Sequence, residues 1–218
     1  MSSPSEKTDA RDNRWPAVLA VVAVVGLYTA LPDSLAVGPR WLEGTIVIAL
    51  LIPTIITHHR GRQDINQILG QSIAAVITLF MIWSLALLVF ALPAHKEAPV
   101  TMLCSAAALW ITNVIVFALW YWRLDGGGPH GRMASGKHEI GAFLFPQMTL
   151  EEGPAKDHWA NWSPNFIDYF FLAFNTSTAF SPTDVPVLSR WAKVLTMTQA
   201  SISLAVVVLL AGRAVNIL

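Results

Sequence analysis

The chain has 218 residues, 54% hydrophobic and 13% charged, with a formal net charge of zero and a mean hydropathy of +0.52. Soluble domains carry about 25% charged residues, so the polar surface that a water-soluble fold of this size needs is missing. A zero net charge also leaves no basic field for nucleic acid.

Residues 1–14 are polar, rich in Ser and in both charges, which predicts a disordered cytoplasmic tail. The first apolar segment is 16–31. Its apolar run is longer than the core of a cleaved signal and its leader mixes Glu6, Asp9 and Asp12 with cations, so it reads as a retained signal anchor. Segments 41–57, 68–92, 100–122 and 191–211 follow. With the first, they are about 16 to 25 residues long, the length that crosses a hydrocarbon core. Pro53 removes one backbone donor and predicts a bend in the second segment. Asp64 and Gln67 have the N-cap and N3 spacing that would start the third. Trp120, Tyr121 and Trp122 form an interfacial aromatic cluster at the end of the fourth, before "RLDGGGP" stops it.

Residues 124–163 read as a polar cytoplasmic loop, in which the short apolar strip 140–148 suits the membrane surface. "GRMASGKH" has the Gly-x4-Gly-Lys spacing of a phosphate loop from Gly131 to Lys137. His138 stands where magnesium binding needs Ser or Thr, and no apolar strand precedes it, so nucleotide binding is not expected. His58 and His59 are neighbours, diverge by about 100° on a helix, and share no ligand direction. Cys104 is single and offers neither a disulfide nor a metal cluster. Neither a nucleophile–base pair nor metal spacing emerges, so no catalytic activity, cofactor or metal is expected.

Lys and Arg favour cytoplasmic loops. Lys7, Arg11, Arg14, Arg60, Arg62, Arg123, Arg132, Lys137 and Lys156 fall on one side of the first four segments, against Arg40 and Lys96 on the other. The N-terminus and the long loop are therefore expected to be cytoplasmic. The remaining stretch, "FIDYFFLAFNTSTAFSPTDVP", starts oily and turns into hydroxyls and amides without a charge until Asp184. Ser163 as N-cap, Pro164 in the first turn and the Ser181-Pro182 pair predict a helix over 164–180 with Asp168 near its start. It is either a thin span or a re-entrant segment. The expected fold is all-α: an integral membrane bundle of five full transmembrane helices plus this short polar helix. Its parts are the tail, a four-helix bundle over 15–123, the loop 124–163, and a pore-like unit over 164–218.

"FFLAFNTSTAFSPTDV" resembles, without gaps, the pore segment of potassium-channel-like proteins, and "SRWAKVLTMTQASISLAVVVLLAGRAVNIL" looks like their inner helix. The resemblance covers 167–218. Phe174, Thr176, Thr178 and Asp184 match the pattern; the two filter glycines correspond to Ser181 and Thr183, and the filter aromatic to Pro182. A potassium filter is a ring of backbone carbonyls whose glycines hold conformations other residues resist, so the resemblance implies a pore without potassium selectivity. The family's pore loop is also entered from outside, opposite to the orientation the cations favour. Over most of its length the chain is similar to an uncharacterised bacterial family of polytopic membrane proteins sharing "WYWRLDGGGP", "FLFPQ", "AFSPTD" and "RAVNIL", which implies a bacterial inner-membrane location.

Two functions of different class follow. In a homo-oligomeric pore, Asn175, Thr176, Ser177, Thr178, Ser181 and Thr183 line an ion path or polar cavity, Pro182 stiffens it, and Asp184 draws cations to its mouth. In a non-conducting membrane scaffold, the same residues pack helices or hold a partner.

Overall fold

The computed structural model describes residues 14–91, 98–134, 141–159, 162–180 and 184–215. Among these it is helical, with one isolated β-bridge and no strand. Its helices are α1 (Trp15–Thr29), α2 (Trp41–His59), α3 (Gln63–Ala91), α4 (Pro99–Leu124), α5 (Gly128–Ala134), α6 (Pro154–His158), α7 (Phe166–Thr178) and α8 (Arg190–Val215). Four of them, α2, α3, α4 and α8, are long and apolar enough to cross a membrane. The first is shorter, 15 residues, or roughly 22 Å.

Local chemistry sets the boundaries. Pro16 and Pro99 stand in the first turns of α1 and α4, where a missing N–H costs nothing. Three consecutive glycines, Gly126, Gly127 and Gly128, take positive φ after α4, and this left-handed run turns the chain into α5. Arg132 then donates to the carbonyls of Trp122 (3.0 Å) and Asp125 (2.6 Å), closing the turn on itself. Helix α2 continues through Pro53, and α3 begins at Gln63, so Asp64 lies in its first turn rather than at its cap.

The bundle is built around α4, whose residues from Thr112 to Leu119 are buried in unbroken succession. It packs against α1, α3, α7 and α8, while α2 leans on α3. Polarity is inverted relative to a soluble fold: Phe90 is 77% and Leu79 68% exposed, whereas Asn113 and Gln199 are fully buried. Apolar side chains facing outward and amides facing inward suit a surrounding that is not water.

The last third takes an unusual path. Tyr169, early in α7, reaches Asp125 at the end of α4, while Phe174, later in α7, meets Trp110, which comes earlier in α4. Thus α7 runs antiparallel to α4. Helix α8 does the same, with Trp191 near Phe143 and Ser203 near Asn113. Two consecutive helices running side by side in the same direction require the chain to come back between them. The return is anchored where α7 began: Phe143 bridges Val187, Leu144 N donates to Pro186 O at 3.0 Å, and Leu188 N to Ala142 O at 2.8 Å.

This pairing also gives the strip 140–148 its packing partners. Ala142, Phe143 and Phe145 are buried, and Phe143 packs against Tyr121, Tyr169 and Trp191. An apolar strip too short to span is buried here by aromatic rings of the bundle itself, and part of the polar loop is a structural plug.

Candidate functional site

The short helix begins with a reciprocal cap. Asn165 Oδ1 accepts from Ile167 N and Asp168 Oδ2 accepts from Asn165 N, both at 2.8 Å. Ser163 therefore is not the cap and 164–180 is not the helix; α7 is shorter at both ends. The reason is spacing. A capping box needs an acceptor three residues after the cap, which Asn165 finds in Asp168 and Ser163 would find only in Phe166. At the other end, Ala179 N closes on Asn175 O at 2.8 Å, and Phe180 follows with φ of 55°, a left-handed cap that glycine usually fills.

The hydroxyl run does not line one face. Successive residues turn by about 100°, so 175–178 point in four directions. Thr176 is buried and donates to Leu172 O at 2.8 Å; Thr178 is exposed and donates to Phe174 O at 3.0 Å. Both hydroxyls are satisfied on their own helix. Asn175 is half-buried and Asp184 exposed. Ser181, Pro182 and Thr183 lie outside the described residues.

Only Ser177 reaches across. Its Oγ accepts from Gln199 Nε2 at 2.9 Å, and the same amide nitrogen donates to Ala173 O at 2.8 Å. Gln199 Oε1 accepts from the Tyr121 hydroxyl at 2.5 Å. One turn away, Asn113 Nδ2 donates to Gln199 O and Ser203 Oγ, both at 3.3 Å. These groups form a continuous polar seam between α4, α7 and α8. Asn113 Oδ1 is buried in it and has no hydrogen-bond partner among the described residues.

The seam ends at a second cluster. Asp125, 1% exposed, accepts from Ala142 N at 2.5 Å and from the Tyr169 hydroxyl at 2.6 Å. The Arg132 guanidinium lies 5.1 Å from the centre of the Tyr169 ring. Asp125 thus ties α4, the Phe143 plug and the start of α7 together. At the same end, Arg123 is buried, stacks on Trp122 and donates to Asn66 O at 3.2 Å. Arg14 donates to Asn66 Oδ1 at 2.9 Å and lies 2.9 Å from His130 Nε2. Of the cations that the sequence places on one side, Arg14, Arg123 and Arg132 meet at this end of the bundle. Among the described residues no three His, Cys, Asp or Glu side chains gather as a metal site.

Sequence reasoning did not single out Asn113, Gln199, Ser203, Asp125 or Glu43, and it took Tyr121 for an interfacial aromatic, whereas Tyr121 is fully buried. The readable signal was polar side chains inside apolar segments at helical spacing: Asn113, Tyr121 and Asp125 follow one another at four- and eight-residue steps, as do Gln199 and Ser203 at four.

Compared with protein-family models, curated proteins and solved structures, the chain matches none of them.

Proposed function

We propose that the chain is an integral membrane protein of the bacterial inner membrane with five spans, α1 to α4 and α8, and that α7 is a re-entrant helix entered from the cytoplasmic side. In this reading α4, α7, the return segment and α8 form a pore-loop unit, and several copies arranged around it conduct small cations without potassium selectivity. The observation that carries the reading is the return of the chain after α7 to its starting end, anchored by the Phe143–Val187 bridge. A helix of 13 residues extends only about 20 Å, less than a hydrocarbon core of about 30 Å. Its carbonyl end would then lie within the membrane, and the helix dipole makes that end favourable for a cation.

Within this unit the hydroxyl residues divide by role. Thr176 and Ser177 fasten α7, so the ion path falls to Asn175, Ser181, Thr183 and Asp184, with Pro182 between them. The test is ion flux in liposomes containing the purified protein, measured across sodium and then potassium gradients. Cation flux above empty liposomes, lowered by Asp184→Asn at equal amounts of folded protein, supports the pore. Absence of flux for both ions with folded protein refutes it.

A non-conducting scaffold is the second reading, favoured by one specific observation. Every described hydroxyl of the run is engaged in helix packing or back-bonding.

A further inference from the structure

A second buried polar centre lies apart from the seam, among α1, α2, α3 and α4. Glu43, in the first turn of α2, is 1% exposed. It lines a cavity of about 10 Å³ together with Tyr28, Leu31, Met81 and Thr112. Its Oε2 is buried and has no hydrogen-bond partner among the described residues.

The groups facing it are few. From α1 comes Tyr28, whose hydroxyl accepts from Val37 N at 2.6 Å and keeps its own proton. From α3 come Met81 and, beside Tyr28, the fully buried Ser84. From α4 come Ala108, Leu109 and Thr112, the last donating to Ala108 O at 2.9 Å and so presenting an oxygen. Among the described residues no Lys, Arg or His lines the cavity. Arg40, near in sequence, is paired with exposed Asp33 at 2.5 Å.

An ionised carboxylate in such a place finds no counter-cation among the described residues, and a buried charge without a partner takes up a proton instead. A metal cation would need about six oxygens, whereas the cavity offers one carboxyl, one phenol and one threonine hydroxyl. Its volume is that of a single water-sized probe. We propose that Glu43 is a proton-binding site inside the α1–α4 cluster, reversibly charged and discharged beside the α1–α2 connector, whose Leu31 lines the cavity. It shares α4 with the pore-loop unit but none of the residues assigned to the ion path, so its test does not depend on ion flux.

The test uses the full chain in lipid nanodiscs. A hydrophobic carbodiimide adds to a protonated carboxyl, and peptide mass spectrometry locates the adduct. Labelling is expected at Glu43 near neutral pH, falling about tenfold for each pH unit above its titration point. Difference infrared spectroscopy should show the carbonyl band of a protonated acid over the same transition, absent in Glu43→Gln. If Glu43→Gln does not fold, the adduct position in the unsubstituted chain still makes the assignment. Labelling that stays constant from about pH 5 to about pH 10, or that never occurs, overturns the proposal. Protection by sodium at fixed pH overturns it in favour of a metal cation.

Discussion

Gln199→Leu is the sharpest perturbation of the seam. The glutamine side chain makes three hydrogen bonds, to the Tyr121 hydroxyl, Ala173 O and Ser177 Oγ, across two helix interfaces. Interhelical bonds in membrane proteins contribute about 0.6 kcal/mol on average and up to about 1.7, so their loss costs about 2 kcal/mol. Leucine also leaves the buried Tyr121 hydroxyl without an acceptor, which adds about 1–3 kcal/mol. A destabilisation of about 3–5 kcal/mol is therefore expected, read as a shift of the SDS-induced unfolding of the purified protein in mixed micelles. Tyr121→Phe combined with Gln199→Leu should cost less than the sum of the two, because both remove one shared bond. Thr178→Val is the control. Its hydroxyl is exposed and bonds its own helix, so it should stay within about 0.5 kcal/mol of the unsubstituted protein. If Gln199→Leu also stayed within that margin, the seam would not hold α7 in place, and the division of hydroxyls into fastening and path-lining groups would fall with it.

Asp168→Ala removes one half of the capping box and should cost about 1 kcal/mol in the same unfolding assay without changing flux. Any loss of flux beyond the loss of folded protein would give Asp168 a further role. Gly141→Ala and Gly26→Ala should move stability in opposite directions. A Cβ at Gly141 collides with the Asp125 carboxylate, a cost of about 1–3 kcal/mol. At Gly26 nothing lies within 4 Å, and alanine should stabilise α1 by up to about 1 kcal/mol. For orientation, a cysteine replacing Ser135 in a Cys104→Ser background should resist an impermeant thiol reagent applied to intact cells. Labelling from outside would reverse the bundle.

The apolar segments were legible because each is a long run whose composition alone demands burial or lipid; their bounds moved by only a few residues. The start of α7 was legible in kind but not in place. Ser163-Pro164 and Asn165 both offer caps, and the choice rests on which one finds a carboxylate three residues later. The plug around Phe143 was not legible, since an apolar strip of that length fits a membrane surface and a protein interior equally well. Gln199 and Asn113 were missed for a related reason. An amide inside an apolar helix declares that it needs a partner, but the partners lie 78 and 86 residues away for Tyr121–Gln199 and Asn113–Gln199. Only the folded chain brings them together.

A half-length helix also explains why polar chemistry gathers where it does. Any helix leaves its last carbonyls without intrahelical donors, and a span hides that deficit in the interface at each side. In the re-entrant arrangement proposed for α7 the chain turns back before the far side, and the deficit falls within the membrane. Its amino end is closed by Asn165 and Asp168. At its carboxyl end, Ala179 N and the Thr178 hydroxyl are directed at Asn175 O, and the carbonyls that follow are those a helix end leaves without intrahelical donors. A membrane protein can meet that need with side chains of a neighbouring helix, with water, or with an ion passing through. Packing joint and ion path are thus two solutions to one deficit built from the same residues. Flux separates them where hydrogen-bond geometry does not.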